Sequence, residues 1–354
     1  MIGQSPGKLI LCGEHAVVDG HPAIAAAIPR MTTVTLVERP GPTRISGDVR
    51  DDRLLPALLR ILPSEGLEIQ IQSELPIGCG LGSSAALAIA ALRALAAWEG
   101  RVMEFSELHR RGFEVERAFH GTPSGVDHAV CALGGLIRYR RGKGGPARAL
   151  DKQHRPQPLE GFELEPGWPR SAPFQVEGGG PGVFDGASHS TGRNGAKRPP
   201  SRRRGWPSTR IGGPEIAPLT IPAPLTLVLA NTGRPRQTTA ELVAQVRARG
   251  SAKELAAIGA IVQEVEAALV AGEGVGGLLN ANHLLLQAIG VSTPDLDRAC
   301  EVMRAAGASG AKLAGAGGGG IAIGLCTAEV AGGVEQAARE AGYPGFVVGV
   351  GRIP

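Results

Sequence analysis

"PIGCGLGSSAALAIAALRALAAW", residues 76–98, opens as a glycine-rich turn and closes as an alanine- and leucine-rich helix. Three glycines and two serines therefore stand where an apolar helix must begin. The first four N–H groups of a helix lack intrahelical partners, and the macrodipole places partial positive charge at that end. Glycine lets an anion come close to the backbone, and serine hydroxyls can cap, donate or bind a metal. The stretch reads as an anion site suited to phosphate. An ordinary loop with a serine N-cap is the alternative that the same residues allow.

The rest of the chain bounds what that site can serve. Its 354 residues accommodate one large domain or two of ordinary size, and 43% hydrophobic residues are ample for a core. Five scattered cysteines (Cys12, Cys79, Cys131, Cys300, Cys326) form no CxxC pair, so neither a disulfide framework nor a zinc site is indicated. A reducing, cytoplasmic setting is expected. The opening "MIGQSPGKLILCGEH" has only a four-residue apolar run before Gly13 and Glu14, so no signal peptide is expected. The helix after Ser84 is interrupted by Arg93 and is too short to span a membrane. The formal charge of +4 is local, because residues 141–220 hold thirteen Lys/Arg against seven Asp/Glu. With 3% aromatic residues there is little for bases to stack on, so a nucleic-acid partner is not expected.

Four textures follow along the chain. Residues 1–140 mix strand-like runs ("KLILC", "TTVTLVE", "LEIQIQSEL") with helical ones at Ser84–Trp98 and Phe105–Phe119. Residues 141–220 are rich in Pro, Gly and Arg, without a sustained period of 2 or 3.6, and read as a disordered insertion. A tolerated surface loop and sequence not selected to fold, such as read-through of a frame disruption, both fit that bias. After it, "APLTLVLANTG" is a buried-strand pattern, and helical periodicity returns in "TTAELVAQVRAR", "AKELAAIGAIVQEVEAALVAG" and "NANHLLLQAIG". "TPDLDRACEVMRAAG" carries a Thr-Pro helix start. A second glycine turn, "GAKLAGAGGGGIAIGLC", leads into an apolar strand, and "YPGFVVGVGRIP" suits a last strand. Strands and helices lack a βαβ rhythm, which predicts an α+β fold.

Two further stretches hold chemically capable residues. In "SPGKLILCGEHAVVDG", Lys8 leads a strand and Glu14–His15 follow a glycine. In "EVERAFHGTPSGVDHAV", Glu116 lies in a helical run and Asp127 follows a turn-rich Thr-Pro-Ser-Gly. Each has a plain reading on its own: a solvated lysine, and an aspartate serving as a cap or Asx-turn.

Taken in order, these segments resemble the GHMP kinase superfamily, and within it the mevalonate kinase family. "PGKLILCGEHAVVDGHPAIAAAI" is similar to that family's first motif, "PIGCGLGSSAA" to its phosphate loop, and "ERAFHGTPSGVDHAV" to its catalytic segment. "ANTGRPRQTTAELVAQVR" and "KLAGAGGGG" resemble its later motifs. The resemblance covers nearly everything outside residues 141–220. It implies a GHMP kinase fold: a ribosomal S5 domain 2-like N-terminal domain (1–140) and a ferredoxin-like C-terminal domain (221–354), with the insertion (141–220) between them.

The implied activity is ATP-dependent phosphorylation of (R)-mevalonate to 5-phosphomevalonate. Such a reaction needs phosphates cradled, Mg²⁺ held, a hydroxyl oriented and developing charge neutralised. By the family pattern the phosphate loop comprises Pro76, Ile77, Gly78, Cys79, Gly80, Leu81, Gly82, Ser83, Ser84, Ala85 and Ala86. Ser84 and Glu116 would hold Mg²⁺, a hydroxyl–carboxylate pair suited to a hard cation. Asp127 would orient and deprotonate the substrate hydroxyl, and Lys8 would lower that hydroxyl's pKa and steady the transferring phosphoryl. Glu14, His15 and Thr232 are implied substrate contacts, with His15 donating a hydrogen bond. Gly315 to Gly320 would bring a second backbone turn close to the ligand. The chain departs from the pattern at Ala314, where threonine is usual, and at Ile321, where cysteine is frequent. The partner implied is a small molecule, with no nucleic acid or membrane, and the family admits a homodimer. Two alternatives stay open: another GHMP small-molecule kinase, such as phosphomevalonate kinase, and a catalytically weakened nucleotide-binding relative.

Overall fold

The computed structural model describes residues 1–46, 53–76, 78–120, 124–142 and 214–351. The first sheet begins with β1 (Ile2–Cys12) and the 21-residue β2 (Pro22–Pro42), paired antiparallel from Ile2↔Thr35 to Cys12↔Ile24. In β2 the side chains of Thr32, Val34 and Leu36 alternate inward, the period-2 pattern of a half-buried strand. Strand β3 (Arg44–Ser46), helix α1 (Leu54–Leu58) and strand β4 (Glu65–Ser73) follow. Next come the helices α2 (Ser83–Trp98), α3 (Phe105–His120) and α4 (Val126–Leu133), then β5 (Leu136–Arg140) and β6 (Glu215–Pro218). The strand order is β3-β4-β2-β5-β6, with β1 also paired to β2. Because β2 is long, Pro22–Ala26 pairs with β5 and Thr32–Pro42 with β4.

Helix α2 packs on β1 and β2. Residues 85 to 92 of α2 are all buried, so the helix shows the all-round apolarity of a core helix rather than an amphipathic stripe. The packing is backbone-close. A Cβ on Gly3 would stand 2.1 Å from Ala90 O.

The second half runs β7 (Leu225–Asn231), α5 (Thr239–Ala248), α6 (Ala252–Ala271), α7 (Gly276–Ala288), α8 (Pro294–Ala305), β8 (Gly310–Ala314), β9 (Ile321–Cys326), α9 (Ala328–Glu340) and β10 (Gly345–Val350). Its sheet has the order β10-β7-β9-β8 with every pair antiparallel. With helices between the first and second strands and between the third and fourth, this is the ferredoxin-like arrangement the resemblance implied. Local signals start its helices. Thr238 and Glu241 form a capping box for α5, and Thr293 caps α8 with Pro294 in the first turn. Leu9 and Leu11 of β1 share one apolar cluster with Leu227 and Leu229 of β7, so one core links both sheets, while Val228 and Ala230 pack into a second cluster with Val246, Ile258 and Met303. Among the described residues, no helix is long and apolar enough to cross a membrane.

One expectation is corrected at its edge. Glu215–Pro218, read as the end of the insertion, forms β6 in register with β5, from Arg140↔Glu215 to Ile137↔Pro218. Ile216 is buried against the sheet and supplies the apolar anchor that the proline-rich context concealed. Arg141 and Gly142 at its start and Leu219, whose N–H donates to Leu136 O at 2.8 Å, near its end are ordered with the first half, and the disorder expected for residues 143–213 lies outside the described residues.

Candidate active site

The glycine loop ends at Gly82, which caps α2 in the left-handed region (φ 71°, ψ 30°). No side chain caps this helix, so the serine N-cap alternative does not hold here. The helical ladder begins with Ala86 N–H donating to Gly82 O at 2.8 Å, which leaves the N–H groups of Ser83, Ser84 and Ala85 ahead of it. Gly78 and Gly80 also have positive φ. Glycine at 82 is required twice over, since a Cβ there would stand 2.6 Å from Lys8 Cγ.

That contact aims Lys8. Its backbone N–H donates to Leu81 O at 3.0 Å, tying β1 to the loop, and its stem runs past Gly82. The ammonium, on a residue only 3% exposed, reaches Asp127 Oδ1 at 2.9 Å. Asp127 lies in the first turn of α4, whose positive end favours a carboxylate. On the neighbouring wall Ser84 Oγ donates to Glu116 Oε1 at 3.2 Å, with Glu116 buried. His128 Nδ1 lies 3.8 Å from Glu116 Oε2, but burial pushes this imidazole down to about 4. It stays neutral and makes no ion pair with Glu116 at neutral pH.

The second glycine turn, between β8 and β9, faces the first. A Cβ on Gly320 would lie 3.0 Å from Cys79 O, and one on Gly315 would lie 3.8 Å from Gly80 Cα. His15 ties in this turn through Nε2, which donates to Ala316 O at 2.8 Å. His15 is a non-glycine residue at φ 61°, a conformation that costs about 1–3 kcal/mol and persists where the surroundings enforce it. Burial lowers its pKa, so the ring is a neutral donor at Nε2.

Lys8, Glu14, His15, Gly78, Cys79, Gly80, Gly82, Ser83, Ser84, Glu116 and Asp127 all line one cleft of about 690 Å³. Its far wall comes from α5 and the second glycine turn, including Ala244, Arg247, Ala314 and Gly315. Other expected residues stand apart. Leu81, Ala85 and Ala86 are buried behind the loop, and neither they nor Pro76 line the cleft. Ile77 lies outside the described residues. Thr232 is also off the lining. Its hydroxyl donates to Gly320 O at 3.1 Å and its N–H to the same oxygen at 2.8 Å, so in this geometry it braces the glycine turn.

Sequence reasoning missed Lys312, which is fully buried and pairs with the Glu14 carboxylate. Its signal was a single cation inside the apolar run "GAKLAG". The cleft-lining Arg141 and Arg247 also went unremarked, since nothing local marks an arginine as facing a cleft.

Two protein oxygens, from Ser84 and Glu116, meet at the start of α2. Hydroxyl and carboxylate are hard donors, and Mg²⁺ characteristically takes one or two protein ligands and completes its shell with phosphate and water. Among the described residues no cluster of three or more His, Cys, Asp and Glu competes as a metal site.

Residues 52–135 match the model for the GHMP kinases N terminal domain, and residues 265–344 the model for the GHMP kinases C terminal domain. A mevalonate kinase of Methanothermobacter thermautotrophicus is 31% identical over 91% of this chain and 89% of its own length. One from Thermococcus gammatolerans is 29% identical over 92% and 89% respectively. In fold, the chain is similar to the crystal structure of the L. major mevalonate kinase in complex with R-mevalonate, at a TM-score of 0.72 and 24% identity over 99% of this chain and 95% of that one.

Proposed function

The chain belongs to the mevalonate kinase family of the GHMP kinases, and from that membership we propose that it transfers the γ-phosphoryl group of ATP to the 5-hydroxyl of (R)-mevalonate. The observation that carries the reading is the meeting of the Lys8–Asp127 pair, at 2.9 Å, with the Ser84–Glu116 pair, at 3.2 Å, in one cleft beside a helix N-terminus.

In this reading the N–H groups at the start of α2 and the loop backbone from Gly78 to Gly82 receive the ATP phosphates. Ser84 and Glu116 are the residues that would hold Mg²⁺, which would there neutralise charge on the nucleotide phosphates. Asp127 accepts a hydrogen bond from the substrate hydroxyl and takes its proton as the O5–P bond forms. The bond from γ-phosphorus to the β,γ-bridging oxygen breaks, and its electron pair leaves with ADP. Lys8 donates toward the attacking oxygen and the transferring group, where negative charge develops. A carboxylate is a weak base at neutral pH, so positioning and electrostatics carry most of the rate.

Glu14 and His15 border the space left for mevalonate, on the side of the second glycine turn. The small polar substrates and the buried thiols of Cys12, Cys131 and Cys300 support a cytoplasmic location. The test is ADP release with ATP and Mg²⁺, comparing no acceptor, mevalonate and phosphomevalonate. Turnover that depends on mevalonate is expected. Dependence on phosphomevalonate instead would move the chain to the neighbouring kinase class, and nucleotide binding without turnover would make it a non-catalytic relative.

A further inference from the structure

The bond between Glu14 and Lys312 joins the two halves of the molecule at the base of the cleft. Glu14 follows β1 in the turn after Gly13, and Lys312 is the central residue of β8. Lys312 is fully buried and Glu14 is 1% exposed. The ammonium donates to Glu14 Oε1 and to Leu313 O. Glu14 Oε2 is buried and has no hydrogen-bond partner, yet Glu14 borders the cleft. A carboxylate with one oxygen held and the other unfilled beside a substrate cavity is half of a binding contact, because leaving a buried acceptor unpaired is costly.

We propose that Lys312 is a positioning residue for the acceptor substrate: it holds Glu14 so that Oε2 presents a fixed anionic acceptor to a hydroxyl of that substrate. The assignment rests on the function proposed above. Three observations converge on it. First, Lys312 lies one residue from Leu313 and two from Ala314, which borders the cleft, so its strand is registered to the site. Second, the next residue along the chain, His15, is tied to the same glycine turn through Ala316 O at 2.8 Å, so the Glu14–His15 backbone has little freedom. Third, burial raises the Glu14 carboxyl, and among the groups that oppose that rise Lys312, by charge and by hydrogen bond, acts most strongly, ahead of the Glu14 backbone N–H and Lys8. A lysine buried only for stability would call for a partner whose oxygens are both satisfied, and here Glu14 Oε2 is left buried and unpaired at the border of the cleft.

The test compares wild type, Glu14→Gln, Lys312→Met and the double variant. Melting temperature is followed with KM for mevalonate and KM for ATP. Glu14→Gln keeps an oxygen for Lys312 and loses the anionic acceptor. Its mevalonate KM should rise about ten- to a hundredfold, the range of a hydrogen bond to a charged group, with ATP KM within about twofold. Lys312→Met should raise mevalonate KM similarly and lower the melting temperature, since it strands a buried carboxylate. The double variant, with a neutral pair, should regain the melting temperature but keep the KM of Glu14→Gln, because the lysine acts through the glutamate. Wild-type mevalonate KM in Glu14→Gln or in the double variant would overturn the proposal, and the Glu14→Gln arm reads it even where the methionine variants do not fold. A parallel rise in both KM values would also overturn it. Wild type inactive on mevalonate would instead fail the functional reading itself.

Discussion

Lys8 Nζ and Asp127 Oδ1 stand 2.9 Å apart, one carried by the edge strand β1 and the other by the first turn of α4. The lysine is nearly buried, while the aspartate side chain keeps 26% of its surface toward the cleft. The pair is thus a directed contact with one open end. The ammonium orients the carboxylate and remains within reach of the oxygen that the carboxylate would deprotonate.

Asp127→Asn should separate chemistry from nucleotide binding. The substitution preserves size and removes charge and basicity, so turnover should fall about 10²–10⁴-fold while ATP affinity stays within a few-fold. Ser84→Ala and Glu116→Gln should act differently, moving the Mg²⁺ dependence of turnover to higher concentration. Nucleotide calorimetry and mevalonate-dependent ADP release on all three variants check this. Wild-type turnover in Asp127→Asn would remove the aspartate from its assigned role.

Gly82→Ala should impair both folding and catalysis. The left-handed conformation costs a non-glycine residue about 1–2 kcal/mol, and the added methyl would press on the Lys8 stem from 2.6 Å, with overpacking adding about 1–3 kcal/mol. Denaturant melts should show that loss, and kcat should fall with it because the displaced stem carries the ammonium. A variant with wild-type stability and kcat would show that the loop relaxes freely.

Residues 143–213 should be removable. Arg140 and Glu215 face each other across the β5–β6 pair, so the two ends of the excised range are already neighbours and a few Gly/Ser residues can close the hairpin. The shortened chain should melt within a few degrees of the full one and keep its mevalonate kinetics. Failure to fold would show that the segment contributes to the core.

Stability should fall between pH 6.5 and 4 in a way His283 helps to set. Its Nδ1 accepts from Leu313 N–H at 3.3 Å and its Nε2 lies 3.1 Å from Asp297 Oδ1. With Nδ1 occupied as an acceptor, a second proton has no place, and burial pushes the group down to about 4. The unfolded chain binds that proton near 6.5 and the folded chain does not, so stability drops as pH falls through this window, by up to about 3 kcal/mol. His283→Asn keeps an acceptor without a titrating ring. Thermal melts across pH 4–7 should be flatter for the variant than for wild type, and equal slopes would count against the assignment.

The sequence by itself determined the features whose causes are local. The Gly78–Ser84 turn ahead of α2, the helical run after Thr238, the Thr293–Pro294 helix start and the strand-like run through Thr32, Val34 and Leu36 were all legible, because caps, turns and periodicity act within a few residues. The motifs in their order pointed to the family, and hence to both halves of the fold. Only the tertiary structure decided how distant segments meet. Strand register and helix packing bring Lys8 onto Asp127, bury Lys312 against Glu14, turn Thr232 away from the cleft and add β6 to the first sheet. A lysine reads the same in sequence whether it is solvated or sealed against a carboxylate. What separates the two is the loss of water around it, and that is settled by what the rest of the chain packs on top.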